Sequence, residues 1–300
     1  IAQCLVGSEM CIRDRLLNDR QVKFEKYLTD AFSEKAVEFI NESSQPFMMY
    51  LAYNAVHTPM QATDEDMAKF EGHPRQKLAA MTYALDRGVG TVIRGLKDSG
   101  KFDNTLIFFL SDNGGATTNQ SSNYPLKGFK GNKFEGGHRV PYFVVWKNGI
   151  PAGKPYDGLV SSLDIFATAI DAASISKTRN RLDGVSLLPY LKGKKGEPHK
   201  VLYWRKMDTR AIRSGDYKLI ITHGVDSVLY NIRRDPEEMN NLINKEPDLY
   251  RKLAKKLAKW EKNECIEPSW LEEGWRKITN RYHQQLMHLS LIHISEPTRH

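Results

Sequence analysis

The chain has 300 residues, 40% of them hydrophobic and 27% charged, with a formal net charge of +8. That is enough apolar material for one large globular domain or two ordinary ones. Its Lys and Arg residues are scattered rather than run together, the pattern of a solvated surface and not of a nucleic-acid module, and a mild positive field suits an anionic substrate.

No stretch approaches the ~18 consecutive apolar residues of a membrane span, and the first residues do not form a signal peptide. Neither observation places the mature protein in a compartment. A single DNA duplex accounts for both ends: one strand encodes Leu5 to Asp14 and the other encodes Leu289 to Arg299. It resembles a transposase adapter of sequencing libraries, so 1–15 and 289–300 are expected to be adapter-derived and the biological chain to be truncated at both ends. Cys4 and Cys11 fall in the first of these segments, which leaves Cys265 alone and uninformative about redox compartment.

In chain order, Leu28, Ala31, Phe32, Ala36, Phe39 and Ile40 predict a helix over 28–45, and Pro46 to Tyr53 reads as a buried strand. A polar loop then carries His57. Leu78, Met81, Leu85, Val89, Val92, Ile93 and Leu96 mark one face of a long helix, with Gly100 placed to cap it. Thr105 to Leu110 and Val140 to Trp146 are short apolar runs of the kind found as central parallel strands. The long Gly-, Lys-, Asn- and Ser-rich connection between them is a candidate functional loop. Ser162 to Ala173 predicts a further helix.

The chain turns basic and Gly-rich at 193–196, where a boundary is expected. Val201 to Trp204, Arg210 to Arg213, Tyr217 to Thr222 and Ser227 to Asn231 then predict an antiparallel sheet. Asp248 to Lys262 follows as an amphipathic helix that covers the sheet, or, on its basic face, meets a membrane surface. The expected organisation is 16–196, 197–268 as an α+β subdomain, and 269–288 as a tail.

Chemistry concentrates in three places. Asp112 and Asn113 stand at the end of an apolar strand, where α/β sheets place ligands. They offer a carboxylate and an amide carbonyl, hard oxygen donors suited to Ca²⁺ or Mg²⁺, although Asp-Asn-Gly alone reads equally as an Asx turn. The run from Leu126 to Pro141 packs cations and glycines into the loop, able to present ammonium groups to an oxyanion or to lie solvated. Asn54-Ala55-Val56-His57-Thr58-Pro59 sets an imidazole past a strand end, where it could act as a general acid or be structural. His73, His138, His199 and His223 are read as structural.

These segments, in order, resemble the sulfatase family of the alkaline phosphatase superfamily. They are Pro-Phe-Met-Met-Tyr-Leu-Ala-Tyr with His-Thr-Pro, Asp-Asn-Gly, and Lys-Gly-x-Lys-Gly with Glu-Gly-Gly-x-Arg-Val-Pro. The resemblance extends over 24–262, including Leu182 to Pro189 and Arg213 to Leu219. It implies the C-terminal half of a three-layer α/β sandwich with a smaller antiparallel sheet plus helix behind it.

The resemblance also implies that Asp112 and Asn113 match the later pair of Ca²⁺ ligands, that His57 donates a proton to the leaving alkoxide, and that Lys130 contacts the sulfate. Lys127, Lys133 and Arg139 are expected as substrate-binding, a positioning role fitting as well, and Glu135 as scaffold. The family nucleophile, a formylglycine made in a Cys/Ser-x-Pro/Ala-x-Arg motif, has no counterpart here. This fragment is therefore expected to be inactive, and its intact parent to hydrolyse a sulfated small molecule or glycan outside the cell, in the periplasm or in the lysosome. Alternatives are a phosphodiesterase or phosphonate hydrolase of the same superfamily, and a degenerate glycan-binding protein. The oligomeric state is not implied.

Overall fold

The computed structural model describes residues 5–7, 15–17, 20–22, 26–153, 155–175, 181–265 and 273–288. The chain divides into two compact units, one of 1–105 with 118–120 and 146–149, the other of 106–117, 121–145 and 150–300.

The first unit begins with three short strands, β1 (Leu5–Gly7), β2 (Arg15–Leu17) and β3 (Arg20–Val22), paired antiparallel in that order. Its body is helical: α1 (Leu28–Glu42), α2 (Asp64–Ala68) and α3 (Gln76–Asp98). In α1 the predicted apolar face buries Ala31, Phe32, Ala36 and Ile40. It packs on α3, which buries Ala80, Met81, Ala84 and Leu96. Close approach requires Gly95, where a Cβ would stand 2.9 Å from a methyl of Val37. Arg87 of α3 ties the helices together, bonding Asp30 of α1 at 3.0 Å and the buried Asp66 of α2 at 2.6 Å. The predicted cap holds: Gly100 has φ +69°, and the amide of Lys101 returns to the Leu96 carbonyl at 2.9 Å.

One expectation for this unit is corrected. Pro46 to Tyr53 is extended but joins no ladder among the described residues, and Met48 and Tyr50 are 64% and 88% exposed. Exposure alternates along it. That is the side-chain rhythm of a strand, but a strand is stable only with a partner for its backbone groups.

The second unit carries β4 (Ile107–Leu110), the single turn α4 (Glu135–His138), β5 (Tyr142–Val145), α5 (Asp164–Ala172) and α6 (Leu188–Leu191). β4 and β5 pair with each other antiparallel, Ile107 opposite Val145 and Leu110 opposite Tyr142, which corrects the parallel arrangement expected of them. An antiparallel return is what a loop without a crossover helix permits, and α4 is too short to be one. Asp164 anchors the start of α5: its carboxylate accepts from the amides of Ser161 and Val185 and from the His199 ring.

The four predicted strands appear as β6 (Val201–Lys206), β7 (Thr209–Ser214), β8 (Tyr217–Thr222) and β9 (Asp226–Asn231), an antiparallel meander. Its register aligns Tyr203, Ile212, Leu219 and Leu229 on one face and Trp204, Ala211, Ile220 and Val228 on the other. The helix α7 (Pro247–Glu264) lays Leu253 and Leu257 on the first row, so its apolar face packs on the sheet. Residues 273–288, expected as tail, instead form α8 (Glu273–His288), which buries His283, Leu286 and Met287 toward the second row. Its polar face is broad and its apolar positions are few, which hid the helix in the sequence.

Candidate active site

Between β4 and β5 the chain makes a long excursion, and glycines decide its path. The Gly114 amide donates to the Gly137 carbonyl at 3.1 Å, and a Cβ on Gly114 would overlap the Gly136 carbonyl oxygen at 1.8 Å. A Cβ on Gly136 would in turn meet the carbonyl oxygens of Gly128, Lys127 and Leu126 at 2.6–2.9 Å. Backbones therefore touch directly where Asp-Asn-Gly-Gly and Glu-Gly-Gly cross, and any side chain there would force them apart. The Lys130 amide adds a bond to the Gly115 carbonyl at 3.0 Å. This brings Lys130 to the segment that holds Asp112 and Asn113.

Asn123, within the same long connection, clamps the same crossing. Its side chain accepts from the Gly115 amide at 2.7 Å and donates to the carbonyls of Gly115 and Gly128 at 3.0 and 3.1 Å. Only the surrounding Ser-Ser-Asn-Tyr-Pro composition signalled it, and that composition marks a turn without naming its partners.

The far side of the loop is fastened to the β6–β9 sheet by buried ions. Lys218 of β8 is fully buried and bonds Glu135 at 2.8 Å and Glu238 at 2.9 Å. Glu238 also accepts from the Glu135 amide at 2.6 Å. Burial alone would raise the Glu135 carboxyl, but the charges of Lys218 and His138 outweigh it and hold it well below the usual carboxylate range. Burial wins at Glu238, which is pushed up to about 7 against the pull of Lys218. Phe134, wholly buried, fills the space between Tyr230 and His283.

The sequence-predicted residues thus separate by place. Asp112 is exposed and Asn113 half-buried, and the Asn113 side-chain amide donates to the Asp112 carboxylate, so the two side chains meet at the strand end. Lys130 is half-buried, its backbone amide on Gly115 of the same segment. Lys127 is corrected: only 2% exposed, it donates to the Glu238 carbonyl at 2.6 Å and lies over the rings of Phe134 and Tyr230, which makes it a strut and not a substrate contact. Arg139 is exposed and 3.7 Å from Glu135. Burial, followed by the charges of Lys206 and Lys218, lowers Lys133 to about 8. His138 is lowered to about 4, first by burial, and its ring lies 4.6 Å from that of Trp204, in keeping with a structural histidine.

His57 belongs to the first unit. Its backbone amide donates to the Asn54 carbonyl at 2.9 Å, and its Nδ1 is 2.6 Å from the Thr58 carbonyl, which makes Nδ1 the protonated nitrogen and points to Nε2 as the reactive one. The preceding turn is pinned by Asn119, whose amide donates to the Val56 carbonyl at 2.8 Å.

As metal donors Asp112 and Asn113 fit part of a hard-cation site. Ca²⁺ takes about six to eight oxygen ligands, and among the described residues no group of three or more His, Cys, Asp or Glu side chains gathers to complete one. These two residues would hold one flank of an ion whose other ligands lie elsewhere.

Comparison with known proteins finds sulfatases. The C-terminal profile of N-sulphoglucosamine sulphohydrolase matches 130–263, the crossing loop and the sheet. The uncharacterized sulfatase YdeN of Escherichia coli (strain K12) is 40% identical over 197 residues, covering 62% of this chain and 35% of the relative. The N-acetylgalactosamine-6-sulfatase of Canis lupus familiaris is 32% identical over 202 residues, covering 65% of this chain and 38% of the relative. The chain therefore spans little more than a third of the length of these curated relatives.

Among solved structures, Ps i-CgsB in complex with k-i-k-neocarrahexaose superposes with a TM-score of 0.81 at 35% identity, covering 92% of this chain and 65% of that one. The fold is of the α/β, alkaline-phosphatase-like class, with a small antiparallel sheet and helices. The profile described as Sulfatase matches 7–175, more than half of the 300 residues and every motif from His-Thr-Pro to Glu-Gly-Gly, and the chain belongs to the sulfatase family.

Proposed function

We propose that the chain is the C-terminal half of an enzyme that hydrolyses sulfate esters of a carbohydrate. The observation that carries this reading is the glycine crossing, in which the Lys130 amide bonds Gly115 and the Gly114 amide bonds Gly137, so that the Lys130 backbone is held on the segment that follows Asp112 and Asn113. The relatives support it, since they include sulfatases named for a sulfated sugar and a structure bound to a neocarrahexaose. In this reading 16–196 completes a catalytic domain and 197–268 is its α+β subdomain.

Lys130 holds a sulfate oxygen, offsetting the charge that builds on it as the ester S–O bond breaks. His57 returns a proton from Nε2 to the departing alkoxide oxygen, its Nδ1–H held on the Thr58 carbonyl so that the ring keeps its orientation. Members of the family use a formylglycine and a divalent metal. Asp112 and Asn113 would bind one flank of that ion, Ca²⁺ in our reading, which would neutralise the sulfate oxygens when bound. A nucleophile from outside this chain is required, and the 300-residue chain by itself turns nothing over. No helix of the described residues is long and apolar enough to cross a membrane, and we assign the parent to an extracellular, periplasmic or lysosomal setting from its family.

The test is to recover the upstream coding sequence and assay the whole parent for sulfate release from a sulfated oligosaccharide. A Cys/Ser-x-Pro/Ala-x-Arg motif is expected upstream. Lys130→Ala should reduce kcat/KM by about 10²–10³, and His57→Ala by about 10²–10⁴. Turnover of the Lys130→Ala parent at the wild-type rate, or hydrolysis of phosphonate monoesters in preference to sulfate esters, would overturn the reading.

A further inference from the structure

Next to Lys130 the second unit gathers two further cations, Lys133 and Lys206. Lys206, at the end of β6, points to the same face as Trp204, and a Cβ on Gly131 would stand 2.9 Å from its Nζ, so this ammonium lies against the turn between Lys130 and Lys133. Among the described residues neither Lys133 nor Lys206 has an ion pair or a hydrogen bond to a carboxylate. The groups that act on Lys133 are Lys206 and Lys218, and the charge that acts on Lys206 is Lys130.

Behind them stands His283 of α8. Its Nδ1 is 2.9 Å from the Thr279 carbonyl, while its Nε2 is sealed from solvent with no hydrogen-bond partner, and Lys133 and Lys206 are the charges that act on it. The side-chain nitrogen of Asn132 is likewise buried without an acceptor. At Lys218 and Asp164, in the same unit, buried charge meets an opposite charge or a titratable partner. Here Lys133 and Lys206 stand as like charges with the Asn132 side-chain amide an unused donor next to Lys133, an arrangement that an anion would relieve.

We propose that Lys133 and Lys206 form an anion subsite beside Lys130 that receives a second negatively charged substituent of the sugar substrate. This rests on the sulfatase reading and sharpens it: the preferred substrate carries at least two anionic groups, one broken at Lys130 and one only held. Lys206 is exposed and Lys133 half-buried, so the subsite is open to ligand on the Lys206 side. It also gives the β6–β9 sheet a part in specificity, since Lys206 is supplied by the sheet and Lys133 by the loop the sheet supports.

The probes are a monosulfated and a disulfated disaccharide of one backbone, titrated calorimetrically into the 300-residue chain at pH 7 and constant ionic strength. Charge-assisted hydrogen bonds of about 1.5–3 kcal/mol correspond to a preference of about 10- to 100-fold for the disulfated probe. Lys206→Met and Lys133→Met should each bring that ratio close to one, while Lys262→Met on the exposed face of α7 leaves it unchanged. Lys206→Met sits at an exposed strand end and keeps the β6–β7 ladder, and thermal melts check that both variants are folded. An unchanged ratio in both variants, or no preference in the wild type, overturns the subsite while binding that Lys130→Ala abolishes keeps the sulfatase reading. If the wild type binds neither probe, both readings fall.

Discussion

The two faces of the β6–β9 sheet are covered by different chemistry. On one, α7 lays Leu253 and Leu257 over Ile212, Leu219 and Leu229, an aliphatic contact with an ionic link from Glu261 of α7 to Arg205 and Arg210. On the other, the sheet meets Phe134, Leu286 and Met287 but also the ionic cluster of Lys218, Glu135 and Glu238. The first face stabilises the sheet and little else. The second holds the loop whose Gly114 and Lys130 bonds assemble the candidate site, so it carries polar groups that cost stability and fix position.

That contrast is most exposed to failure at Lys218. Replacing it by Met leaves Glu135 and Glu238 without the buried cation that bridges them, at an expected cost of about 3–5 kcal/mol. Denaturant unfolding measures the loss. The pH profile gives a second check: Glu238 titrates near 7, above an ordinary carboxylate, so its ionised form is disfavoured in the folded chain. The part of the stability that depends on a protonated Glu238 is complete below the ordinary Glu range and is lost as pH rises through about 7. Glu238→Gln should flatten that slope, and an unchanged slope would separate the loop from the cluster.

On the aliphatic face Leu257→Ala should cost about 2–5 kcal/mol through lost burial and a cavity. Because Leu257 itself carries no charge, the loss is expected to be independent of pH between 5 and 9, roughly the window in which neither carboxylates nor lysines of ordinary pKa titrate. A pH-dependent loss would show the faces to be coupled through the sheet.

Lys133 should behave in the opposite sense to Lys218. Its pKa is lowered to about 8 by burial and by Lys206 and Lys218, so the folded chain pays for its charge. Lys133→Met is expected to stabilise the chain, by on the order of 1–3 kcal/mol given that one pKa unit is about 1.4 kcal/mol. The gain is full below about 8, where Lys133 is protonated folded and unfolded, and fades as pH rises toward its ordinary value. Thermal melts at pH 7 and pH 10 would read the difference, and a destabilised variant at pH 7 would mean that Lys133 has a compensating partner.

How much of this was legible in the sequence follows from how local each signal is. The faces of α1, α3 and α7 and the four strands of the sheet were readable because their periodicity is written into neighbouring residues. Asp112, Asn113, Lys130 and His57 are singled out by motif order, and the roles given them are the proposal made above. What failed was non-local. The antiparallel pairing of β4 with β5 depends on where a long loop returns, and the want of a partner for Pro46 to Tyr53 depends on chain elsewhere. Lys127 looked like a site cation because the sequence cannot show that its ammonium turns inward to Glu238. Asn123, Glu238 and His283 carry no motif, and their partners lie far off in sequence.

The smallest expected effect tests the other face of α7. Lys255 and Lys256 are exposed, while Leu253 and Leu257 are buried against the sheet. Replacing both lysines by Ala removes no contact within the sheet's core, so unfolding should change by no more than about 0.5 kcal/mol for each. A membrane-surface role for this basic face would require the apolar face to enter the lipid, and that face is already spent on Ile212, Leu219 and Leu229. Sedimentation with anionic vesicles at physiological salt should therefore show no binding that the double variant abolishes. Binding that did disappear with these charges would mean that α7 leaves the sheet for the membrane, and the simple division between a stabilising face and a positioning face would fail with it.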